Sequence, residues 1–236
     1  VIIPARNEVL WLTGTLTAAA HAAEYAQSRN VSVEILVVDN QSTDGTLKLL
    51  SQFAASHGII PLQGPELGAA RARNCGRRNA RGRILVFVDA DTHLPPDGIV
   101  RIQQWCDEAR MEAGITRLAG LDGGWKAWLW WTFWEHVRRL PLPHAKAMPA
   151  VMFCTAKVFD EFGPFDEEVA IGEEWPILAG LYSKRPRQFV YDRTVTARTS
   201  SRRMEKQSFG YFRTFLKYVW AILHKQGRIH YTDAIR

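Results

Sequence analysis

Two carboxylates, Asp89 and Asp91, stand one residue apart directly after the apolar run Ile84–Val88 in "ILVFVDADTHLP". Three kinds of chemistry suit such a pair. It could cap the next helix or loop. It could serve as general acid and base, although that work wants wider separation and unlike surroundings. It suits best a divalent cation that bridges a diphosphate. Mg2+ and Mn2+ take hard oxygen ligands from one or two carboxylates and the rest from substrate phosphate. If the run continues as a strand, residues i and i+2 point to one side. The two acids then repel, and a positive charge is expected between or beside them. The histidines and cysteines show no metal-ligand spacing, so no softer metal is indicated.

Several elements must bring these acids to a site. "VIIPARNE" opens as a short buried strand that stops at Pro4, and a helix follows with Leu12, Leu16, Ala19 and Ala23 on one face. "VEILVVDN" (33–40) reads as a second strand ending in a carboxylate. Ser42, Thr43 and Asp44 are N-cap candidates for the next helix. "GIIPL" is a third strand, an Ala/Arg helix follows, and "RILVFVDAD" is the fourth strand. Pro95 and Pro96 open a helix with Ile99, Ile102 and Cys106 inward. Alternating strands and helices over the first 110 residues predict an α/β fold with a mostly parallel sheet covered on both faces. Ligands of such sheets lie at the carboxyl ends of the strands. Residues 4–8, Asp39-Asn40 and Asp89–Asp91 therefore converge on one rim.

The second half reads differently. "WKAWLWWTFWEHVRR" (125–139) carries five of the nine tryptophans. As a helix it is apolar nearly all round, which predicts burial against the sheet. Two other uses fit the same residues. One is an interfacial segment, with Arg138, Arg139 and Lys146 meeting anionic lipid. The other is an aromatic platform for a sugar. A strand and short helix are expected in "PAVMFCTAKVFDEFGPFDEEV", a helix opening on two acids in "GEEWPILAGLYSK", and a strand pair or extended segment in "RQFVYDRTVTARTS". From 201 onward a basic amphipathic helix is expected, its apolar stripe formed by Phe209, Phe212, Phe215, Leu216 and Val219.

The chain has 236 residues, 47% hydrophobic and 23% charged, enough for one large domain and unlike a disordered chain. Its net charge of +6 suits an anionic partner: nucleic acid, lipid headgroups or a phosphate-bearing small molecule. Three cysteines without CxxC spacing predict reduced thiols. The chain begins at Val1 inside an apolar run, so a few preceding residues are expected. No apolar run reaches the roughly 18–20 residues of a membrane span. The expected location is the cytoplasm, or peripherally the inner face of the membrane.

"VIIPARNE", "VVDNQSTDGT", "GAARARNCGRRNARGRILVFVDADT" and "FDEFGPFDEEVAIGEEWPI" together resemble, in order and spacing, the family 2 glycosyltransferases with the GT-A fold, a Rossmann-like sheet. The resemblance is to bacterial members and runs from Val1 to about Leu178, more loosely through "TSSRRMEKQSFGYFRT". It implies that Pro4, Ala5, Arg6 and Glu8 line a nucleotide pocket. It also implies that Asp39 hydrogen-bonds uracil and that Arg73 lies near the base and diphosphate. Asp91 would be the direct metal ligand and Asp89 would sit nearer the ribose, sharing the Mn2+ or Mg2+ with the donor's diphosphate. Glu173 and Glu174 resemble the family's Glu-Asp pair, whose second acid is the usual base. That points to Glu174, although the family residue is Asp. Arg202 or Arg203 would close over the diphosphate. The implied layout is a nucleotide-sugar-binding half (1–110), an acceptor-side half of the same domain (111–200) and the basic C-terminal helix (201–236).

The expected activity is metal-dependent, inverting transfer from a nucleotide sugar, a UDP-sugar by Asp39, to a hydroxyl acceptor that is a sugar or lipid-linked. A membrane surface is a candidate partner; nucleic acid is not expected. Two alternatives are weaker. A nucleotidyltransferase would usually carry a Gly-rich, Lys-bearing phosphate loop near the first strand, and "PARNE" has no such glycines. A nucleic-acid-binding protein would leave three convergent acidic clusters unexplained, since acids repel phosphate.

Overall fold

The computed structural model describes residues 1–122, 124–146, 149–169 and 172–202. The chain builds one eight-stranded sheet in the order β3-β2-β1-β4-β7-β6-β8-β5. The first half supplies β1 (Ile2–Ala5), α1 (Leu12–Gln27), β2 (Leu36–Asp39), α2 (Thr46–His57), β3 (Ile60–Gln63), α3 (Ala69–Asn79), β4 (Ile84–Val88), β5 (Thr92–His93) and α4 (Gly98–Asp107). The second half adds β6 (Ala113–Gly120), α5 (Trp125–Arg139), β7 (Val151–Thr155), α6 (Ala156–Phe162), α7 (Trp175–Lys184) and β8 (Phe189–Thr199). β1 runs parallel to β2 and β4, and β2 parallel to β3. β7 enters antiparallel between β4 and β6, while β6 and β8 run parallel.

Alternation along the strands sorts the core into two layers. Ile3, Val37, Val86, Val88, Val151 and Phe153 face α1, α2 and α4. Ile2, Leu85, Phe87, Met152 and Cys154 face α3, α6 and α7. On that second face Phe87 and Phe159 both meet Phe165 edge-on, with ring centroids 4.9 and 5.6 Å apart. Burial of such a side chain stabilises by about 1.5–3 kcal/mol, so both layers hold the rim firmly. The cysteines are free and buried, and burial pushes the Cys106 thiol up to about 12.

Gly76 of α3 sits directly on β1: a Cβ there would lie 2.4 Å from Ile2 Cγ2. That methyl hangs on a branched strand residue and cannot rotate away cheaply. Gly76→Ala is therefore expected to lower stability by about 1–3 kcal/mol, read as a fall in the urea midpoint at unchanged slope. Helix propensity alone would give a gain of about 1 kcal/mol.

The structure departs from the sequence reading at several places. β4 ends at Val88, so Asp89 and Asp91 lie in the following turn and no strand periodicity aligns them. β6 was not expected, because "AGITRLAG" mixes small, charged and apolar residues without alternation. Of the two readings of residues 189–199, the single extended segment holds: they form one strand, irregular where Thr116 pairs Asp192 but Arg117 pairs Thr196. Helix α5 has the expected bounds but is not buried all round. Ala127, Trp134, Glu135 and Arg138 face inward, whereas Trp125 and Trp128 are 69% and 66% exposed. Leu129, Phe133, Leu140 and Leu142 are also exposed. Among the described residues no helix is long and apolar enough to cross a membrane. The basic helix expected beyond Arg202 lies outside the described residues.

Candidate functional site

The carboxyl ends of β4, β1 and β2 are neighbours in the sheet. With strands roughly 4.8 Å apart, Asp89, Glu8 and Asp39 come onto one rim, as expected. The loops after β1 and β2 are knitted together. Asn7 takes a left-handed backbone (φ 55°) and donates its N–H to Ser42 Oγ (3.0 Å), while its Oδ1 accepts from Thr43 N (2.8 Å). Glu8 N donates to Thr46 Oγ1 (2.9 Å) and Val9 N to Asp44 Oδ2 (3.3 Å). Ser42, Thr43 and Asp44 thus serve this junction. The N-cap of α2 is Gly45, without a side-chain cap bond.

Asp39 ends β2 in a buried position. Its Oδ2 accepts from Ser42 N at 3.4 Å, and its buried Oδ1 has no hydrogen-bond partner. Such an oxygen costs free energy until a donor reaches it. Asp39 lines a cleft of about 440 Å3 with Gln41, Gln63, Gly64 and Pro65. The last four escaped the sequence reading, because nothing in their types marks them. Ala5 belongs to the core, Pro4 is half-buried in β1, and Arg6 stands exposed on the rim.

The two acids after β4 each have their own guanidinium. Arg73 of α3 donates Nη2–H to Asp89 Oδ1 and Nη1–H to Glu173 Oε1, both at 2.7 Å. Burial works against its charge, but Asp89, Glu173 and Glu174 outweigh burial and raise its pKa above the usual arginine value. Arg202 Nη2 lies 2.5 Å from Glu8 Oε1 and 3.3 Å from Asp91 Oδ2. Thr199 Oγ1 donates to Asp91 Oδ1 at 3.4 Å. The positive charges beside the acid pair are thus arginines from α3 and from the end of β8. Arg203 lies outside the described residues.

Glu173 and Glu174 are brought to this rim by the loop before α7. Asn74 of α3 holds the loop by a two-way amide pair: Nδ2 donates to Phe165 O, and Phe165 N donates to Asn74 Oδ1, both at 3.0 Å. Asp166 N then donates to Glu173 O at 3.0 Å. Gly172 turns the chain with φ 83°, a left-handed conformation that side chains resist. Glu174 is the N-cap of α7, buried, and within electrostatic reach of Arg73 and Arg138. The sequence reading missed Asn74, although it follows Arg73 in a quoted motif, and the part Arg138 plays here, since the partners of both lie far off in sequence.

Among the described residues no group of three or more His, Cys, Asp or Glu side chains could hold a metal. Asp89 and Asp91 are hard oxygen donors on one turn. They fit a divalent cation whose remaining ligands come from substrate phosphate and water.

A family model described as "Glycosyl transferase family 2" matches residues 1–158. Glycosyltransferase AglE of Haloferax volcanii is 33% identical over 122 residues, covering 51% of this chain and 35% of that protein. An undecaprenyl-phosphate 4-deoxy-4-formamido-L-arabinose transferase of Pseudomonas savastanoi pv. phaseolicola is 27% identical over 131 residues, covering 54% and 38%. The matched stretch therefore spans well under half the length of these relatives. Among solved structures, glucosyl-3-phosphoglycerate synthase from Mycobacterium tuberculosis, in complex with Mn2+, UDP and glucosyl-3-phosphoglycerate, shares the fold. Its TM-score is 0.61 at 14% identity, over 94% of this chain and 78% of that one.

Proposed function

Because the chain belongs to glycosyl transferase family 2, with the GT-A fold, we propose that it is a metal-dependent, inverting transferase. It moves a sugar from a UDP-sugar to a hydroxyl acceptor held at a membrane. The observation that carries this reading is the rim itself: the unsatisfied Asp39 Oδ1 in a cleft at the end of β2, and the Asp89–Arg73–Glu173 bridge two strands along at the end of β4.

In this reading residues 1–110 supply the donor half and residues 111–200 the acceptor half. Asp39 accepts the N–H of uracil, while Glu8 and the backbone of Pro4-Ala5-Arg6 border the donor. Asp91 and Asp89 would hold Mn2+ or Mg2+. When bound, that ion stabilises the charge growing on the leaving diphosphate as a Lewis acid. Arg73 keeps Asp89 and Glu173 in place, and Arg202 turns from Glu8 and Asp91 to the diphosphate. The acceptor oxygen attacks the anomeric carbon from the face opposite the nucleotide. The bond from that carbon to the phosphate oxygen breaks, and its electron pair leaves with UDP. The hydroxyl proton goes to Glu174.

The outer face of α5 supports a membrane-held acceptor. Trp125, Trp128, Leu129 and Phe133 are exposed there, with Lys126 and Arg139 beside them. Indole rings favour the headgroup zone and basic side chains favour anionic lipid. The relative from Pseudomonas savastanoi is named for undecaprenyl phosphate, a lipid, in keeping with a substrate held at a membrane. The test is release of nucleoside diphosphate from a panel of UDP- and GDP-sugars, with and without bacterial lipid extract. Release from a UDP-sugar that depends on lipid and Mn2+ and gives an inverted product is the expected result. Release only from GDP-sugars, or retention of configuration, would sink the reading.

A further inference from the structure

We propose that Arg117, Arg139 and Arg193 form a phosphate-binding subsite that receives an anionic group of the acceptor. The inference rests on the acceptor side lying next to Glu174, as in the proposed function. Glu135, on the inner face of α5, is 6% exposed at its side chain and is the hub of the cluster. Its Oε1 accepts from Arg139 Nη2 at 2.8 Å and from Arg193 Nε at 3.2 Å. Its Oε2 accepts from the Tyr191 hydroxyl and lies 3.8 Å from Arg117 Nε. Burial works against the Glu135 carboxylate, but Tyr191, Arg139 and Arg117 outweigh it and hold its pKa below the usual value. The acid therefore stays ionised, yet it neutralises only one of three guanidiniums.

Stability does not call for this arrangement. One cation suffices for one carboxylate, half-exposed ion pairs contribute little, and three like charges repel each other. The guanidinium side chains are 47%, 42% and 55% exposed at Arg117, Arg139 and Arg193. Arg117 and Arg193 reach Glu135 through Nε, so this contact leaves the terminal nitrogens of both unspent. Those nitrogens form the planar fork that pairs with phosphate oxygens. The fold also fixes the cluster. The strand irregularity beside Arg117 is the turn that carries Arg193. Asp192 Oδ1 pins that turn by accepting from Thr194 N at 2.8 Å, Thr194 Oγ1 at 2.7 Å and Val195 N at 3.4 Å. Arg138, adjacent to Arg139, is buried within the field of both Glu135 and Glu174. Tyr191, which donates to Glu135, packs against the core layer that holds Ile177 and Leu178 of α7, so the cluster lies on the same face of the sheet as the helix that Glu174 caps.

The shared ligand chemistry is a phosphate monoester, either on a lipid or on a soluble acceptor. The full chain would be titrated with inorganic phosphate and hexyl phosphate. It would also be mixed with phosphatidylcholine vesicles containing phosphatidic acid, or phosphatidylserine at matched surface charge. Wild type is expected to prefer phosphatidic acid over phosphatidylserine vesicles, or to bind the soluble phosphates. The first result assigns a lipid source and the second a soluble one. Arg117→Ala/Arg193→Ala is expected to weaken the preferred probe about tenfold or more. Arg117→Lys/Arg193→Lys keeps the charge without the fork, covers a folding failure of the first variant, and is expected to lose part of the affinity. Equal binding by wild type and both variants, or no phosphate preference in wild type, would overturn the subsite. UDP binding with Mn2+ is measured on the same samples. Its absence in wild type would count against the donor reading and leave the subsite result standing.

Discussion

Glu174→Gln is expected to slow sugar transfer by about 10^2–10^4-fold, with UDP affinity almost unchanged. The substitution keeps shape and hydrogen-bonding capacity but removes the proton acceptor. Glu174 occupies the N-cap of α7, where its backbone carbonyl accepts from Ile177 N (3.1 Å) and Leu178 N (3.0 Å), and glutamine leaves those bonds intact. The neighbouring acid gives a contrasting result. Glu173 is bonded to Arg73, which also holds Asp89. Glu173→Gln should therefore loosen the donor side and act mainly on donor KM, whereas Glu174→Gln acts on kcat. Steady-state kinetics on both variants separates the roles. If Glu173→Gln abolishes turnover while Glu174→Gln is active, the assignment is reversed.

Asp91→Asn is the second large effect. The amide keeps an oxygen for Thr199 and for the turn, so the fold should hold. It removes a charge and a hard ligand from the turn that would grip the divalent cation. Charge stabilisation of the leaving group by a metal is worth several kcal/mol, so an activity loss of about 10^2–10^3-fold is expected. The Mn2+ dependence of UDP binding should flatten in the same variant. Arg202 keeps Glu8 as a partner and stays near the site. A variant as active and as Mn2+-responsive as wild type would mean that Asp91 holds no metal.

The first half of the fold was legible because its strands are buried on both faces and separated by clear helical periods. β1, β2 and β4 read as apolar runs, and their ends carry the polar residues that mark a rim. The pairing of Asp89 with Asp91 was misread in one respect. Periodicity was extended past Val88, where the chain turns. Arg73 and Arg202 reach the two acids across 16 and 111 residues of sequence, and no local pattern announces such contacts. Hydrophobicity misplaced the outer face of α5. The inner face carries Glu135 and Arg138, whose partners lie on β8 and near α7, so polar residues are buried there and indoles are left outside. The arginine cluster was invisible for the same reason. Arg117, Glu135 and Arg193 belong to three separate elements, and only the Glu135–Arg139 spacing is a helical pair.

The most direct measurement is a calorimetric titration of UDP, GDP and CDP into the wild-type chain, each with and without Mn2+. The expected result is that UDP binds tightest and only with Mn2+, since the proposed reading pairs Asp39 with uracil and has Asp89 and Asp91 share a metal with the diphosphate. Failure of every nucleotide to bind, or UDP binding indifferent to metal, would contradict the account.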